Sequence, residues 1–378
     1  MNQLYCKTCG ATYSLDEPGW KCRCGAVLDI AFEAVFDREK IRSRKPSLWR
    51  YREAIPIPED ADIVSFDEGF TPLLEMAFGG RKVYIKQDYL FPTGSYKDRG
   101  ATVMISKLKE LGVKSIVEDS SGNAGAAIAA YAAKAGIACR IFVPENAPPG
   151  KTAQIQMYGA RLVKTPGSRE DTVRAVQSAA ATTCYASHSW NPFFFQGTKT
   201  FAYEICEQLQ WLAPDVVVLP VGNGTLLLGA YIGFVDLFRA GVTGKLPKIV
   251  AVQAANCAPL SAAFAANRGE IPKLITHETI ADGIAIVAPV RGGQIVAAVR
   301  HCGGGFVTVT EDEIVSALLE MGQQGYYIEP TSAATIAGLE KYLKIAPTGG
   351  IIVSTLTGSG LKETEKISRI LAGTPDDF

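Results

Sequence analysis

Lys97 stands in Phe91-Pro92-Thr93-Gly94-Ser95-Tyr96-Lys97-Asp98-Arg99-Gly100, between a glycine-containing turn and an amphipathic segment. Most lysines are solvated surface charges, but one placed between a turn and a helix is a candidate nucleophile toward a carbonyl carbon. Three glycine-rich loops add sites for an anion. Asp119-Ser120-Ser121-Gly122-Asn123-Ala124-Gly125 opens an alanine-rich helix, where hydroxyls and free backbone donors attract a carboxylate or phosphate. An ordinary Ser or Asn cap is the alternative there. Pro220-Val221-Gly222-Asn223-Gly224-Thr225-Leu226 lets the backbone approach a phosphate closely and places the Thr225 hydroxyl at a helix start, although the same residues also suit a tight turn. It lacks both G-x-G-x-x-G and the Walker G-K-[ST], so a phosphate smaller than a nucleotide's fits it better. Leu356-Thr357-Gly358-Ser359-Gly360-Leu361-Lys362 offers hydroxyls that either cap the next helix or touch a ligand.

Four further side chains suggest a metal. Cys6 and Cys9, then Cys22 and Cys24, form two pairs about a dozen residues apart, and Gly10 and Gly25 follow them, as in the two knuckles of a zinc ribbon. Four thiolates close a tetrahedral structural zinc site and leave no position open for chemistry. The second pair is C-x-C, one residue short, so a degenerate ribbon without metal is the competing reading. His188, His277 and His301 are the three histidines, and none has metal-site spacing; each reads as structural or solvent-facing.

These residues need a scaffold, and from about residue 80 the chain supplies one. Short β-branched runs at 82–86, 115–117, 139–143, 161–164, 215–221, 248–253, 306–309 and 351–355 alternate with helical stretches such as 101–111, 124–135, 198–209 and 332–343. That is the βαβ rhythm of mainly parallel sheets covered by helices, in which ligands bind beyond the carboxyl ends of the strands. Residues 31–70 are charged and proline-containing, and read as a connecting arm.

The 378 residues contain 38 Lys plus Arg against 38 Asp plus Glu, and 47% are hydrophobic. Such a chain holds at least two domains and a sizeable core. Cancelling charges remove the broad positive field on which nucleic-acid binding depends. No run of eighteen apolar residues appears, the longest candidate, 216–234, being broken at Gly222-Asn223-Gly224. The N-terminus is too polar for a signal peptide, and five cysteines are scattered singly, so a cytoplasmic protein with neither nucleic-acid nor membrane partners is expected.

Taken together, P-T-G-S-Y-K-D-R-G, S-S-G-N-A-G, P-V-G-N-G-T and L-T-G-S-G-L-K occur in the order seen in a known family. With Asn191-Pro192-Phe193-Phe194-Phe195-Gln196-Gly197-Thr198-Lys199-Thr200 and Glu329-Pro330-Thr331-Ser332-Ala333-Ala334, the chain resembles the threonine synthase-like branch of the fold type II pyridoxal-phosphate-dependent enzymes over nearly its whole length. The resemblance implies two three-layer αβα domains with mainly parallel sheets plus a small N-terminal zinc-ribbon-like module. The implied boundaries are 1–45 for module and arm, 46–98 with 200–378 for a large cofactor-binding domain, and 99–199 for a small substrate-side domain. It implies pyridoxal 5'-phosphate as cofactor, with Lys97 as its Schiff-base lysine and general base, and Asn123 at its phenolic oxygen. Gly222, Asn223, Gly224 and Thr225 would cradle its phosphate. Thr357 would meet its ring nitrogen and, as a hydroxyl in place of a carboxylate, leave that nitrogen neutral. Ser120, Ser121 and Gly122 would hold the substrate carboxylate, with Asn191 also on the substrate side.

The implied reaction is elimination and replacement on a small, phosphorylated amino acid such as O-phosphohomoserine, giving threonine and phosphate, in a homodimer. Two departures bear on the substrate. Relatives usually carry an Arg after the Asn-Pro pair to help bind the substrate phosphate, where this chain has Phe193-Phe194-Phe195, and Ala124 replaces a Thr. Each lost charge-assisted hydrogen bond is worth about 1.5 to 3 kcal/mol. Lys151 or Lys199 are candidate replacements. A serine or threonine dehydratase, a β-replacement enzyme using O-phosphoserine, and a catalytically inactive pyridoxal-phosphate-binding relative are the alternatives.

Overall fold

The computed structural model describes residues 2–17, 19–147 and 149–373, without the side chains of Pro149 and Lys151. Lys151, one of the two candidate phosphate-binding lysines, therefore has its side chain outside the described residues. The chain forms two compact units, Met1–Phe70 with Lys97–Thr200, and Thr71–Tyr96 with Phe201–Phe378. No helix among the described residues is long and apolar enough to cross a membrane.

The first unit begins with a three-stranded antiparallel sheet in the order Thr12–Tyr13, Gln3–Tyr5, Asp29–Ala31. Residues 31–70 are more than an arm. Asp37 caps the helix Arg38–Ser43 by accepting from the Glu39 and Lys40 amides. Leu48, Trp49, Ile55 and Ile57 are buried in one cluster with Val103, and Trp49 Nε1 donates to Thr102 Oγ1 at 3.0 Å. This burial is against the helix Lys97–Glu110, distant in sequence, so it leaves no local periodicity to read. For the same reason residues 46–70 cluster with the first unit, not with 201–378.

A four-stranded, wholly parallel sheet follows in this unit, in the order Arg161–Thr165, Ala138–Pro144, Ser115–Glu118, Cys184–Tyr185. The helices Lys97–Glu110 and Pro192–Thr198 meet backbone to backbone. A Cβ on Gly197 would lie 1.8 Å from the Arg99 carbonyl oxygen, and one on Gly100 would lie 2.3 Å from the Phe194 ring. Glycine at both positions is what lets the pair close.

The second unit holds a six-stranded sheet in the order Gly305–Val309, Lys248–Ala254, Val216–Pro220, Ile352–Thr355, Arg81–Lys86, Leu73–Phe78. All neighbours are parallel except the last pair, an antiparallel edge strand. Every residue of Val216–Pro220 is buried, which explains its unbroken apolar sequence: a strand covered on both faces has no polar alternation. Its carboxyl end leads into the helix Thr225–Arg239, and the helix Pro330–Ile345 packs on the strands with Gly338 against Val252. The α/β class expected from the sequence is thus present, with one parallel and one mixed sheet.

Candidate functional site

In the second unit, two of the expected loops leave the carboxyl ends of hydrogen-bonded neighbouring strands. The Gly222–Thr225 stretch follows Val216–Pro220, and Thr357 follows Ile352–Thr355. Gly222 is pressed against Ile286, Gly283 and Ile284, where a Cβ would sit 2.9 to 3.0 Å from their atoms. Gly224 has φ +76° and faces Ile295 at 2.3 Å from a hypothetical Cβ, so conformation and space both demand glycine. Gly224 is also the N-cap of the fifteen-residue helix and supplies no side-chain cap. Asn223 is half-buried. These residues fit a phosphate monoester: donors and a positive helix end, with no carboxylate among Gly222, Asn223, Gly224 and Thr225.

The segment before Lys97 is pinned to the same two loops. Tyr96 donates its backbone N–H to the Thr357 carbonyl at 2.9 Å, and its phenol is 2.7 Å from Thr225 Oγ1. Ser95 bridges Gly358 as a β-pair, and its hydroxyl is buried with no hydrogen-bond partner. Tyr96 and Ser95 were not singled out from sequence; only their place in the lysine motif pointed to them. Behind Thr357, its hydroxyl donates to Glu329 Oε1 at 3.1 Å and lies 3.0 Å from Ser332 Oγ. Glu329 and Ser332 belong to the E-P-T-S motif, which carried no assigned role.

In the first unit, Lys97 is half-buried as the first residue of its helix, with Nζ 5.8 Å from the centre of the Phe194 ring. Ser120, Ser121, Gly122 and Asn123 are half-buried, and Asn123 is the first residue of the helix Asn123–Ala135, whose Gly122 cap supplies no side-chain bond. Gly125 holds that helix against the loop, since a Cβ there would lie 1.9 Å from the Ser120 carbonyl oxygen. Asn191 is buried and caps the helix Pro192–Thr198, its Oδ1 accepting from the Phe193 amide at 3.0 Å. The three phenylalanines that replace the expected Arg are all buried in that helix. Lys199 is buried too, with Nζ 5.0 Å from the Phe32 ring centre.

Glu118 and His188 form a buried pair at the ends of neighbouring parallel strands, with Nδ1 2.7 Å from Oε1. Burial first, then Asp119, pushes the Glu118 carboxyl well above the usual carboxylate range. Burial, then the charges of Lys97 and Arg169, pushes His188 well below its ordinary value. Both directions describe a neutral pair, a protonated carboxyl beside a neutral imidazole. His188 thus has the structural setting expected of it. Arg169 binds both the carbonyl and the carboxylate of Asp119, at 2.6 and 3.2 Å, next to the Ser120–Gly122 loop, and its side chain is 48% exposed.

The four cysteines of the N-terminal module converge, all Sγ atoms lying within 4.8 Å of one another. Cys6 and Cys24 are 3.6 Å apart, and Cys9 and Cys22 are 3.5 Å apart. Four sulfurs placed ~2.3 Å from a tetrahedral centre would be about 3.8 Å apart, so the donor set fits zinc. The missing residue of C-x-C is absorbed by the turn: Gly10 N–H closes onto the Cys6 carbonyl, four residues back, and Gly25 N–H onto the Cys22 carbonyl, three back. Both glycines have positive φ, +75° and +89°. Tyr13 Oη lies 3.0 Å from Cys22 Sγ, and this contact, then the Cys24 amide, holds the Cys22 thiol down at about 6.

Residues 64–358 match the family described as pyridoxal-phosphate dependent enzyme. The threonine synthase of Methanocaldococcus jannaschii is 38% identical, over 96% of this chain and 94% of that protein. That of Methanosarcina acetivorans is 35% identical over 97% and 94%. The processed form of threonine deaminase isoform 2 from Solanum lycopersicum shares the fold, with a TM-score of 0.70, 22% identity, and 90% of each chain covered.

Proposed function

The chain belongs to the pyridoxal-phosphate-dependent enzymes and, within them, to the family of the threonine synthases, and we propose that it converts O-phosphohomoserine and water into threonine and phosphate. The observation that carries this reading is the 38% identity to a threonine synthase across 96% of the chain. The cofactor is pyridoxal phosphate. By the family's pattern Lys97 would hold its aldehyde carbon, Asn123 would meet its phenolic oxygen, and Gly222, Asn223, Gly224 and Thr225 would hold its phosphate, with Thr357 at the ring nitrogen. When bound, it supplies the electron withdrawal that makes protons on an attached amino acid removable.

The Lys97 amine would remove the proton at Cα and then move one at Cβ as general base and acid. Ser120, Ser121 and Gly122 hold the substrate carboxylate with hydroxyls and backbone donors. The carboxamide nitrogen of Asn191 is the donor its capping role leaves over. Phosphate leaves Cγ, a proton is delivered to Cγ to make the methyl group, water adds its hydroxyl at Cβ, and a proton returns to Cα. For the substrate phosphate we assign Arg169 in place of the Arg missing at 193–195: its guanidinium is oriented by Asp119 yet about half exposed beside the carboxylate loop.

We further assign a three-layer αβα arrangement to each unit, a homodimer, a cytoplasmic location that suits nine unpaired cysteines, and a structural zinc on Cys6, Cys9, Cys22 and Cys24. The catalytic test is to incubate the holoenzyme separately with O-phosphohomoserine, O-phosphoserine, serine and threonine, and to measure phosphate, amino acids and 2-oxo acids. Threonine with equimolar phosphate from O-phosphohomoserine is expected. A 2-oxo acid from threonine, with no product from O-phosphohomoserine, would overturn the reading in favour of a dehydratase. Light scattering on the purified protein tests the dimer.

A further inference from the structure

The helix that begins at Lys97 ends in an ion pair largely removed from water. Lys107 and Glu110 stand one turn apart there, and the Lys107 ammonium donates to Glu110 Oε1. The Lys107 side chain is 2% exposed and that of Glu110 14%. An ammonium has three protons to donate and a carboxylate two oxygens to accept with. Among the described residues Lys107 makes only this one side-chain hydrogen bond; Asp16 Oδ1 is 3.7 Å from its nitrogen and the Phe193 ring centre 5.5 Å. Glu110 Oε2 is buried with no hydrogen-bond partner. A desolvated ion pair is stable only where further hydrogen bonds satisfy the remaining protons and lone pairs. The complement of this pair is therefore a molecule that accepts at one group and donates at the next.

Both side chains line a cavity of about 450 Å³ within the first unit, a size that suits a small molecule. Leu15, Phe32, Ile55 and Ile57 give it apolar walls. Arg52 adds a second cation, with three of its five N–H groups taken by Asp60 and by the Ile57 and Pro58 carbonyls. The terminal torsion of a glutamate is soft, so the Glu110 carboxyl can turn its second oxygen to a ligand without moving the helix.

We propose that this cavity binds an α-amino acid with an apolar side chain, at a site separate from the catalytic lysine. The ligand carboxylate accepts from Lys107 and Arg52, its ammonium donates to Glu110 Oε2, and its side chain lies against Phe32, Ile55 and Ile57. Because Lys107 and Glu110 touch each other, the two charges of the ligand must be neighbours as well, as they are across the single Cα of an α-amino acid. A plain carboxylate or a plain amine answers only half of the pair. Lys107 is ten residues beyond Lys97 on the same helix, about 15 Å along its axis, so a ligand here does not compete for Lys97.

The test is calorimetric titration of the full-length holoenzyme with L-isoleucine, L-leucine and L-phenylalanine, with the visible band of the cofactor followed in parallel. At least one should bind once per chain and leave the band unshifted. The amide and the 2-oxo acid of the tightest ligand, each lacking one charge, should bind at least about tenfold more weakly, and Lys107→Gln should weaken the parent amino acid as much. Leu15→Arg, which fills the cavity from a half-buried position away from the ion pair, should also block binding, and it decides the matter if Lys107→Gln fails to fold. The proposal is overturned if none of the three amino acids binds at millimolar concentration, if binding shifts the cofactor band, or if the affinity survives in the variants that fold.

Discussion

The ammonium of Lys97 lies 5.8 Å from the centre of the Phe194 ring, and that ring fills the space left by the absent side chain of Gly100. Phe194 also meets His188 edge to face at 6.1 Å. An Arg at this buried position would place a guanidinium inside the helix pair beside a lysine charge, which is costly without a paired anion. The aromatic residue therefore acts as the floor under Lys97, and in the proposed reaction the substrate phosphate would be bound from another element.

Gly100→Ala should destabilise the protein. The methyl would sit 2.3 Å from the Phe194 ring, and overpacking of that kind costs about 1 to 3 kcal/mol. The higher helix propensity of Ala returns at most ~1 kcal/mol. Denaturant unfolding should show a net loss, and kcat should fall as the displaced ring shifts under Lys97. A more stable variant with unchanged kcat would contradict this packing role.

Arg169→Gln tests the phosphate assignment. Loss of charge-assisted bonds worth about 1.5 to 3 kcal/mol should raise KM for O-phosphohomoserine by roughly 10- to 150-fold. Inorganic phosphate should weaken as an inhibitor in parallel. Steady-state kinetics with unchanged KM would transfer the role to another cation.

The buried pair Glu118 and His188 makes stability depend on pH with predictable sign. The Glu118 carboxyl titrates above its unfolded value of 4.5, so as pH rises past 4.5 the unfolded state releases a proton that the folded state keeps. The wild type should lose stability relative to Glu118→Gln by up to about 1.4 kcal/mol per pH unit in that direction. For His188 the sign reverses: below 6.5 the unfolded imidazole gains a proton that the folded one does not. His188→Asn should therefore gain on the wild type as pH falls through that range. Urea unfolding at pH 5 and 7.5 decides both, and parallel profiles for wild type and variants would refute the neutral pair.

Tyr13→Phe removes the phenol 3.0 Å from Cys22 Sγ while leaving the four thiols in place. Loss of such a supporting contact typically weakens metal affinity by about 10- to 100-fold. Competition with a zinc chelator should show that change from one equivalent of zinc per chain in the wild type. Wild-type protein prepared without chelator and carrying no zinc would leave the module as a ribbon that folds without metal.

Much of the site was legible because its parts are local. The lysine motif, the three glycine-rich loops and the paired cysteines are each contiguous, and their residue types report backbone demands directly, such as the left-handed φ of Gly224, Gly10 and Gly25. The run Val216–Pro220 was readable for the same reason. Residues 48–57 were not, because their apolar side chains answer to Val103 on a distant helix. The edge strand Leu73–Phe78 was missed as well; exposed at Leu74, Glu75 and Ala77 and buried only at Phe78, it has neither a clean alternation nor a continuous apolar run.

By itself the sequence determined the α/β class and singled out the lysine motif, the glycine-rich loops and the paired cysteines, since each follows from a short stretch of chain. Only the tertiary structure decided what stands behind those groups. It brought Glu329 and Ser332 to Thr357 across more than twenty residues, Glu118 to His188 across seventy, and Phe194 to Gly100. The neutrality of a buried pair and the impossibility of a side chain at a crossing depend on what lies within 3 or 4 Å. That distance is set by packing between elements, and spacing along the chain does not encode it.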